Sequence, residues 1–340
     1  MEPLLSVSLF IGLIVTLISL PVWIRKAQSI GLVWDDCNKY RSVKIAGSGG
    51  IAVVTGFLAG VFFYIALNTF YFNSTENIIQ IFAITSSILI TFSIGLIDGI
   101  LGWGGGMKRG EGIRRRWRIL LVLIAAIPLI VINAGNHSSS FPFLEGNLAW
   151  IYPLIIIPLG IVGASTTFNF LAGFNGLEAG QGILLLSALS IVAYFTGSSW
   201  LALIGIIMVV CLFGFLFYNF FPARVFPGDT LTYPVGTLIA IMAILGNFEK
   251  IALFFFIPYF FEVGLKIRGG LVKQSFGKPN KEGGLDLRYD KFYGLEHVAI
   301  WFLNKSGIGA TEKKVVYSIW AFQIIIMVVG FILFREGIFA

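Results

Sequence analysis

The sequence predicts an all-α integral membrane protein with about ten transmembrane helices, both termini extracytoplasmic, and a functional site built from cytoplasmic loops. Three observations carry this. First, 57% of the 340 residues are hydrophobic and only 12% are charged, against about 25% charged in a typical soluble domain. Second, the apolar runs are about 17–25 residues long, the length a helix needs to cross a bilayer. They lack the two-residue alternation of barrel strands, and helices are the other way to satisfy a backbone in lipid. Third, the basic residues fall in alternate loops.

The helices are read at 4–24, 50–69, 78–100, 118–134, 149–168, 181–197, 200–217, 234–246, 251–267 and 316–335. The first run has no basic segment before it, Glu2 being its only charge, so it reads as a retained span and not as a cleaved signal. The second starts at Gly50, and the third ends in GLIDGI, which puts Asp98 at a membrane boundary. The fourth follows RRRWR, and the fifth precedes an Asn-bearing, Gly-rich loop. Tight turns at Gly197 and Gly246 join the sixth to the seventh and the eighth to the ninth. The whole chain, 1–340, reads as a single membrane domain, with 266–315 as a long basic cytoplasmic loop.

With the N-terminus outside, the inner loops are 25–49, 101–118, 168–180, 218–233 and 266–315. They hold 22 of the 24 Lys and Arg; only Lys250 and Arg335 lie opposite. The positive-inside bias sets the orientation. The formal net charge of +7 mostly reflects this asymmetry and suits anionic headgroups and phosphates, so membrane lipids are expected partners and nucleic acid is not. Asn73-Ser74-Thr75 is a glycosylation triplet on the outer side, and His137 is an outer-loop residue. Cys37 and Cys211 lie far apart and form neither a disulfide nor a metal pair in this reading.

The inner loops also hold most of the acids and amides: Asp35, Asp36, Asn38 and Lys39; Asp98; Asn169, Asn175 and Glu178; and Asp229 in PARVFPGDTLTY (222–233). Carboxylate and amide oxygens suit Mg²⁺, with Mn²⁺ as the substitute, and Arg and Lys suit phosphate. There is no P-loop or dinucleotide fingerprint and no Ser/His/Asp or Cys/His constellation. The chemistry indicated is metal-assisted phosphoryl transfer at a membrane surface. Each group also has a plainer reading. Asp229 suits a helix N-cap, Asn169 and Asn175 suit turns, and Glu178 suits the start of a helix. Phe226 is one of 33 Phe. Glu262 lies inside the ninth span with no assigned role.

NFLAGFNGLEAGQ (169–181) and PARVFPGDTLTYPVGT (222–237) resemble the signature loops of the polyprenyl-phosphate N-acetylhexosamine-1-phosphate transferases. The dolichyl-phosphate N-acetylglucosamine-1-phosphate transferases are the nearer branch. The resemblance implies transfer of a sugar-1-phosphate from a UDP-N-acetylhexosamine to a polyprenyl or dolichyl phosphate, with release of UMP. It implies Asp229 and Asn169 as Mg²⁺ ligands, Phe226 stacking on uracil and Asn175 reading its edge. Asp98 matches the first Asp of a paired-Asp motif, and Asp36, Asn38 and Lys39 match a D-x-N-K element. By the same resemblance Asp98, Asp229 and Lys39 are catalytic candidates, and Asp36, Asn38 and Arg118 contact substrate. In RYDKFYGLEH (288–297), Arg288, Lys291 and His297 are candidates for diphosphate or sugar contacts.

Two departures stand out. The paired-Asp motif is Asp98-Gly99 here, so the second carboxylate is dispensable or replaced by Asp35 or Asp36. Loop five lacks the histidine cluster of the bacterial members. The expected location is the cell membrane with the site facing the cytoplasm, and the oligomeric state is left open, a homodimer included. The alternative is a secondary transporter or lipid flippase, which calls for polar groups at mid-membrane and paired halves.

Overall fold

In the computed structural model, residues 3–103, 112–135, 140–141, 144–145 and 150–339 are described. His137 and the segment 104–111 lie outside them. All ten apolar segments are helical. Helix α1 (Val7–Ile30) closes on Gly31, whose φ of +78° lets its N–H turn back to the last carbonyls. After it come the strands β1 (Val33–Asp35) and β2 (Lys44–Ala46), paired antiparallel. Then follow α2 (Gly50–Ala66), α3 (Ile78–Trp103), α4 (Arg115–Ile124) and α5 (Ile127–Val131). A short ribbon, β3 (Ser140–Phe141) with β4 (Leu144–Glu145), precedes α6 (Ile157–Phe168). The chain continues through α7 (Leu177–Phe195), α8 (Ser199–Asn219), α9 (Asp229–Gly246), α10 (Glu249–Phe255) and α11 (Ile257–Arg268). The ribbon β5 (Lys278–Pro279) and β6 (Leu285–Asp286), then α12 (Leu295–Lys305), α13 (Glu312–Leu333) and α14 (Arg335–Ile338), complete it.

Seven helices among the described residues are long and apolar enough to cross a membrane, which makes this a multi-pass membrane protein. The other three segments differ from the expected unbroken spans, and proline is the reason. The segment expected at 118–134 breaks between α4 and α5, just ahead of Pro128. That expected at 251–267 breaks at Phe256, ahead of Pro258. The one expected at 149–168 begins with a wide π turn at Tyr152–Ile156, containing Pro153, before α6 starts. Proline has no N–H to donate and clashes with the preceding turn.

Other boundaries move as well. α1 runs on to Ile30, so Arg25 and Lys26 are helical. α7, α9 and α13 each start four or five residues earlier than expected, at Leu177, Asp229 and Glu312. Loop 266–315 is folded, not open, and the three ribbons qualify the all-α expectation.

Helix α9 is the centre of the bundle: 83% of its 18 residues are buried, against 22% in the most apolar stretch of α1. It packs against α3 and α6 and touches α2, α7 and α8. Glycine permits this close approach. A Cβ on Gly95 of α3 would lie 2.3 Å from the Asp229 carbonyl oxygen, and one on Gly50 of α2 would lie 2.4 Å from the Leu231 nitrogen. On α9 itself, a Cβ at Gly236 would meet the Ser165 backbone at 2.6 Å.

Gly95→Ala therefore forces α9 away from α3. We expect a stability loss of about 1–3 kcal/mol, as for other overpacked sites, with a displaced Asp229 and a large loss of activity. Gly264→Ala is the control, because nothing lies within 4 Å of its added methyl. Thermal unfolding in detergent with an activity assay decides, and equal behaviour of the two variants refutes the packing account.

Candidate active site

A cleft of about 710 Å³ opens where five chain regions meet. That volume is in the range of small-molecule sites. Asp98, Asp229, Asn169, Asn175, Phe226 and Asp36 all line it. Lys39, Asn38, Arg118, Arg288 and His297 are not among its lining residues.

Asp229 is placed by backbone. Residues 225–227 run beside the end of β2: Phe226 N–H donates to the Ala46 carbonyl at 2.8 Å, Gly49 N–H to the Phe226 carbonyl at 2.8 Å, and Gly50 N–H to the Pro227 carbonyl at 3.1 Å. Gly228, with φ +64°, then turns the chain into α9 as its N-cap. The cap reading of Asp229 is thereby corrected. Asp229 is the first helical residue, and its carboxylate is free to face the cleft. Asn219 anchors the same loop, donating to the Val225 carbonyl at 2.9 Å and accepting from Gly176 N–H at 3.1 Å. Sequence reasoning passed over it. The available signal was a lone amide at the end of a hydrophobic helix.

Opposite Asp229 stands Asp98, one turn beyond Gly95 on α3. Its Oδ1 accepts from Ile113 N–H at 2.6 Å. Arg118 of α4 lies between the two carboxylates, its Nη1 3.2 Å from Asp98 Oδ2 and 3.3 Å from Asp229 Oδ2. Asn169, at the end of α6, accepts from the Thr232 hydroxyl at 2.9 Å, one turn along α9 from Asp229. At Gly99, the position of the missing second Asp, an added Cβ would meet Ser48 Oγ at 3.1 Å.

A second polar knot holds the loops together. Asp36 Oδ2 accepts from Asn175 Nδ2 at 3.1 Å and pairs with Lys39 at 3.0 Å, while its Oδ1 accepts from Asn38 N–H at 3.1 Å. Lys39 also pairs with Glu312 at the start of α13. Glu312 in turn accepts from Asn175 N–H at 2.9 Å. Asn38 spans two more loops, donating to the Gly173 carbonyl at 2.8 Å and accepting from Gly277 N–H at 3.1 Å. Lys39, expected as catalytic, is thus engaged in loop-to-loop contacts. Asp36 is likewise taken up in this knot, and Asp35 accepts from Ser42 at 2.8 Å. Glu312 was missed because the expected helix began at 316, which left it within the loop 266–315. Cys37 also lines the cleft, and burial pushes its thiol up.

Loop five supplies one wall through Gln274 and Phe276, neither foreseen. Arg288 donates to the Gln274 side-chain oxygen and stacks over Phe276, 5.9 Å from the ring centre. His297 is buried. Tyr293 N–H donates to its Nδ1 at 3.2 Å, so Nε2 carries the proton and points to the Phe276 carbonyl at 3.4 Å. Two of the three expected loop-five contacts, Arg288 and His297, therefore brace the wall. Glu262, which had no role, accepts from Leu295 N–H at 2.7 Å and so caps α12 from a neighbouring helix. It pairs with Lys266 at 3.2 Å, and Lys266 reaches Ser275 beside the wall residues. Glu296 is buried next to Glu262. Burial, and then the Glu262 charge, push its carboxyl well above the carboxylate range.

Two expectations follow for this wall. Glu262→Ala strands buried Lys266 and uncaps α12, which costs about 3 kcal/mol and, by loosening the cleft wall, raises KM; Glu262→Gln, which still accepts from Leu295, loses less. Unchanged melting and KM in the alanine variant remove the capping role. Burial lowers the His297 pKa, so the unfolded chain takes up the proton first. The His297 contribution is then complete above the ordinary value of about 6.5 and fades as pH falls below it. His297→Gln should flatten the fall in melting temperature between pH 7 and 5; an unaltered slope counts against it.

The donor set suits a divalent metal. Asp98, Asp229 and Asn169 offer hard oxygens around one cleft, and Mg²⁺ takes one or two protein oxygens together with substrate phosphates. Arg118 adds a guanidinium suited to phosphate oxygens. Residues 81–247, which contain most of this machinery, match glycosyl transferase family 4. A Saccharolobus solfataricus protein assigned as a UDP-N-acetylglucosamine–dolichyl-phosphate N-acetylglucosaminephosphotransferase is 35% identical over 331 residues, 96% of this chain and 94% of its own. A Bacillus subtilis protein assigned as an undecaprenyl-phosphate N-acetylglucosaminyl 1-phosphate transferase is 30% identical, over 81% of this chain and 74% of its own. The Dictyostelium discoideum UDP-N-acetylglucosamine–dolichyl-phosphate N-acetylglucosaminephosphotransferase is 30% identical over 65% of this chain and 60% of its own. With near full-length similarity and the carboxylate pair at its centre, the chain belongs to glycosyl transferase family 4.

Proposed function

We propose that the protein transfers N-acetylglucosamine-1-phosphate from UDP-N-acetylglucosamine to a polyprenyl or dolichyl phosphate and releases UMP. One observation carries this reading: Arg118 joins Asp98 and Asp229, two carboxylates that line the cleft beside Asn169, Asn175 and Phe226. The names of its relatives supply the substrates. The ten apolar runs support ten crossings, the distribution of Lys and Arg supports both termini outside and a cleft facing the cytoplasm, and the cell membrane is the location this reading takes.

In this reading an oxygen of the lipid phosphate attacks the β-phosphorus. The bond from that phosphorus to the bridging oxygen breaks, and its electrons leave on UMP. A phosphate monoester is largely ionised at pH 7, so the attack needs no general base. Asp98 orients the attacking phosphate. Arg118 pairs with diphosphate oxygens, Phe226 stacks on the uracil, and Asn175 hydrogen-bonds its edge. Asp229 and Asn169 would hold Mg²⁺, which supplies charge neutralisation at the diphosphate. Positioning and electrostatics provide most of the rate.

The test is UMP release from UDP-N-acetylglucosamine and dolichyl phosphate by purified protein, in Mg²⁺ and in EDTA. Asp229→Asn should fold normally and lose about 10²–10³-fold in kcat, the scale of one lost electrostatic group. Full activity in that variant, or in EDTA, defeats the metal assignment. No turnover with any UDP-sugar favours the transporter alternative.

A further inference from the structure

We propose that Arg118 is a built-in counter-cation for the Asp98–Asp229 pair, and that it makes metal binding and nucleotide binding depend on each other. This rests on the proposed role of Asp229 as a metal ligand. A single guanidinium nitrogen lies 3.2 Å from one carboxylate and 3.3 Å from the other. The three groups come from three helices, α3, α4 and α9. The placement is built in, since the strand of chain entering α4 is tied to Asp98 through Ile113 N–H. The side chains are 25%, 12% and 19% exposed for Arg118, Asp98 and Asp229. Among the described residues no other Lys or Arg forms a salt bridge with either acid.

Two carboxylates on facing helices repel each other, and in a partly dry cleft that repulsion is weakly screened. Arg118, which keeps its charge, offsets it and leaves the trio with one net negative charge. A divalent cation approaching Asp229 alone meets the guanidinium on the same carboxylate oxygen, so metal and Arg118 compete. A diphosphate changes the balance. Its oxygens accept the planar guanidinium in two-pronged fashion, Arg118 leaves Asp229, and the carboxylate becomes available. Nucleotide thus promotes metal binding, and by linkage metal promotes nucleotide binding to the same degree.

Purified full-length protein in detergent tests this with Mn²⁺ as the probe, its binding read by electron paramagnetic resonance or calorimetry, without turnover. In the wild type, saturating UDP-N-acetylglucosamine should tighten Mn²⁺ binding at least about tenfold, within the usual range of coupling between sites. Arg118→Gln should bind Mn²⁺ alone about tenfold more tightly than wild type and lose most of the nucleotide effect. Arg118→Lys keeps a charge and should retain the coupling. Equal or weaker Mn²⁺ binding by Arg118→Gln overturns the proposal, as does a wild type whose Mn²⁺ affinity ignores nucleotide. The wild-type measurement decides if Arg118→Gln does not fold. Asp229→Asn separates the two readings: if it still binds Mn²⁺ normally, the metal assignment fails, whereas loss of Mn²⁺ there with no gain in Arg118→Gln rejects the counter-cation alone.

Discussion

The site depends on one steric constraint, the contact of the first turn of α9 with backbone on α2 and α3. No side chain fits at Gly50 or Gly95, where an added Cβ would lie 2.4 and 2.3 Å from α9 backbone atoms. Residues three apart share a helix face, so the Gly95 contact carries Asp98 to the same level as Asp229. Two acids from segments 131 residues apart are thereby brought to one guanidinium. Small residues are how helices gain such proximity in a membrane, where lipid offers apolar side chains no advantage in associating.

Most of the polar residues in the loop motifs bind one another. Asp36, Asn38, Lys39, Asn175 and Glu312 link the β1–β2 hairpin, the loop before α7 and the start of α13. Glu262, Lys266 and His297 hold the loop-five wall in place. In a chain so apolar, a buried polar group is costly unless paired, and these pairs join segments that no hydrophobic core would hold together. The cleft keeps its shape because its walls are cross-linked in this way, and only a minority of motif residues face it.

Much was legible in advance. The ten apolar segments, the gathering of the acids and amides, and the grouping of Asp98, Asn169, Asn175, Phe226 and Asp229 around one cleft all follow from hydropathy, charge and motif. The misses have physical causes. Helix starts at Asp229 and Glu312 were placed late because polar first turns look like loop. Pro128 and Pro258 were read within continuous spans, although each follows a break in its helix. Gln274 and Phe276 carried no signal, since a wall residue is defined by what folds opposite it.

Composition and periodicity alone determine that this chain lives in a membrane as packed helices, because backbone in lipid has few other solutions. The alternation of basic loops is likewise legible in the sequence, since charge is read locally along the chain. Which polar residues work and which brace is a tertiary decision. Lys39 and His297 have the chemistry of a site, yet fold into partners. Arg118, one of several arginines in a basic run, is singled out because α4 delivers it between Asp98 and Asp229. Distances between helices far apart in sequence depend on side-chain volumes at their crossings, which no local pattern encodes.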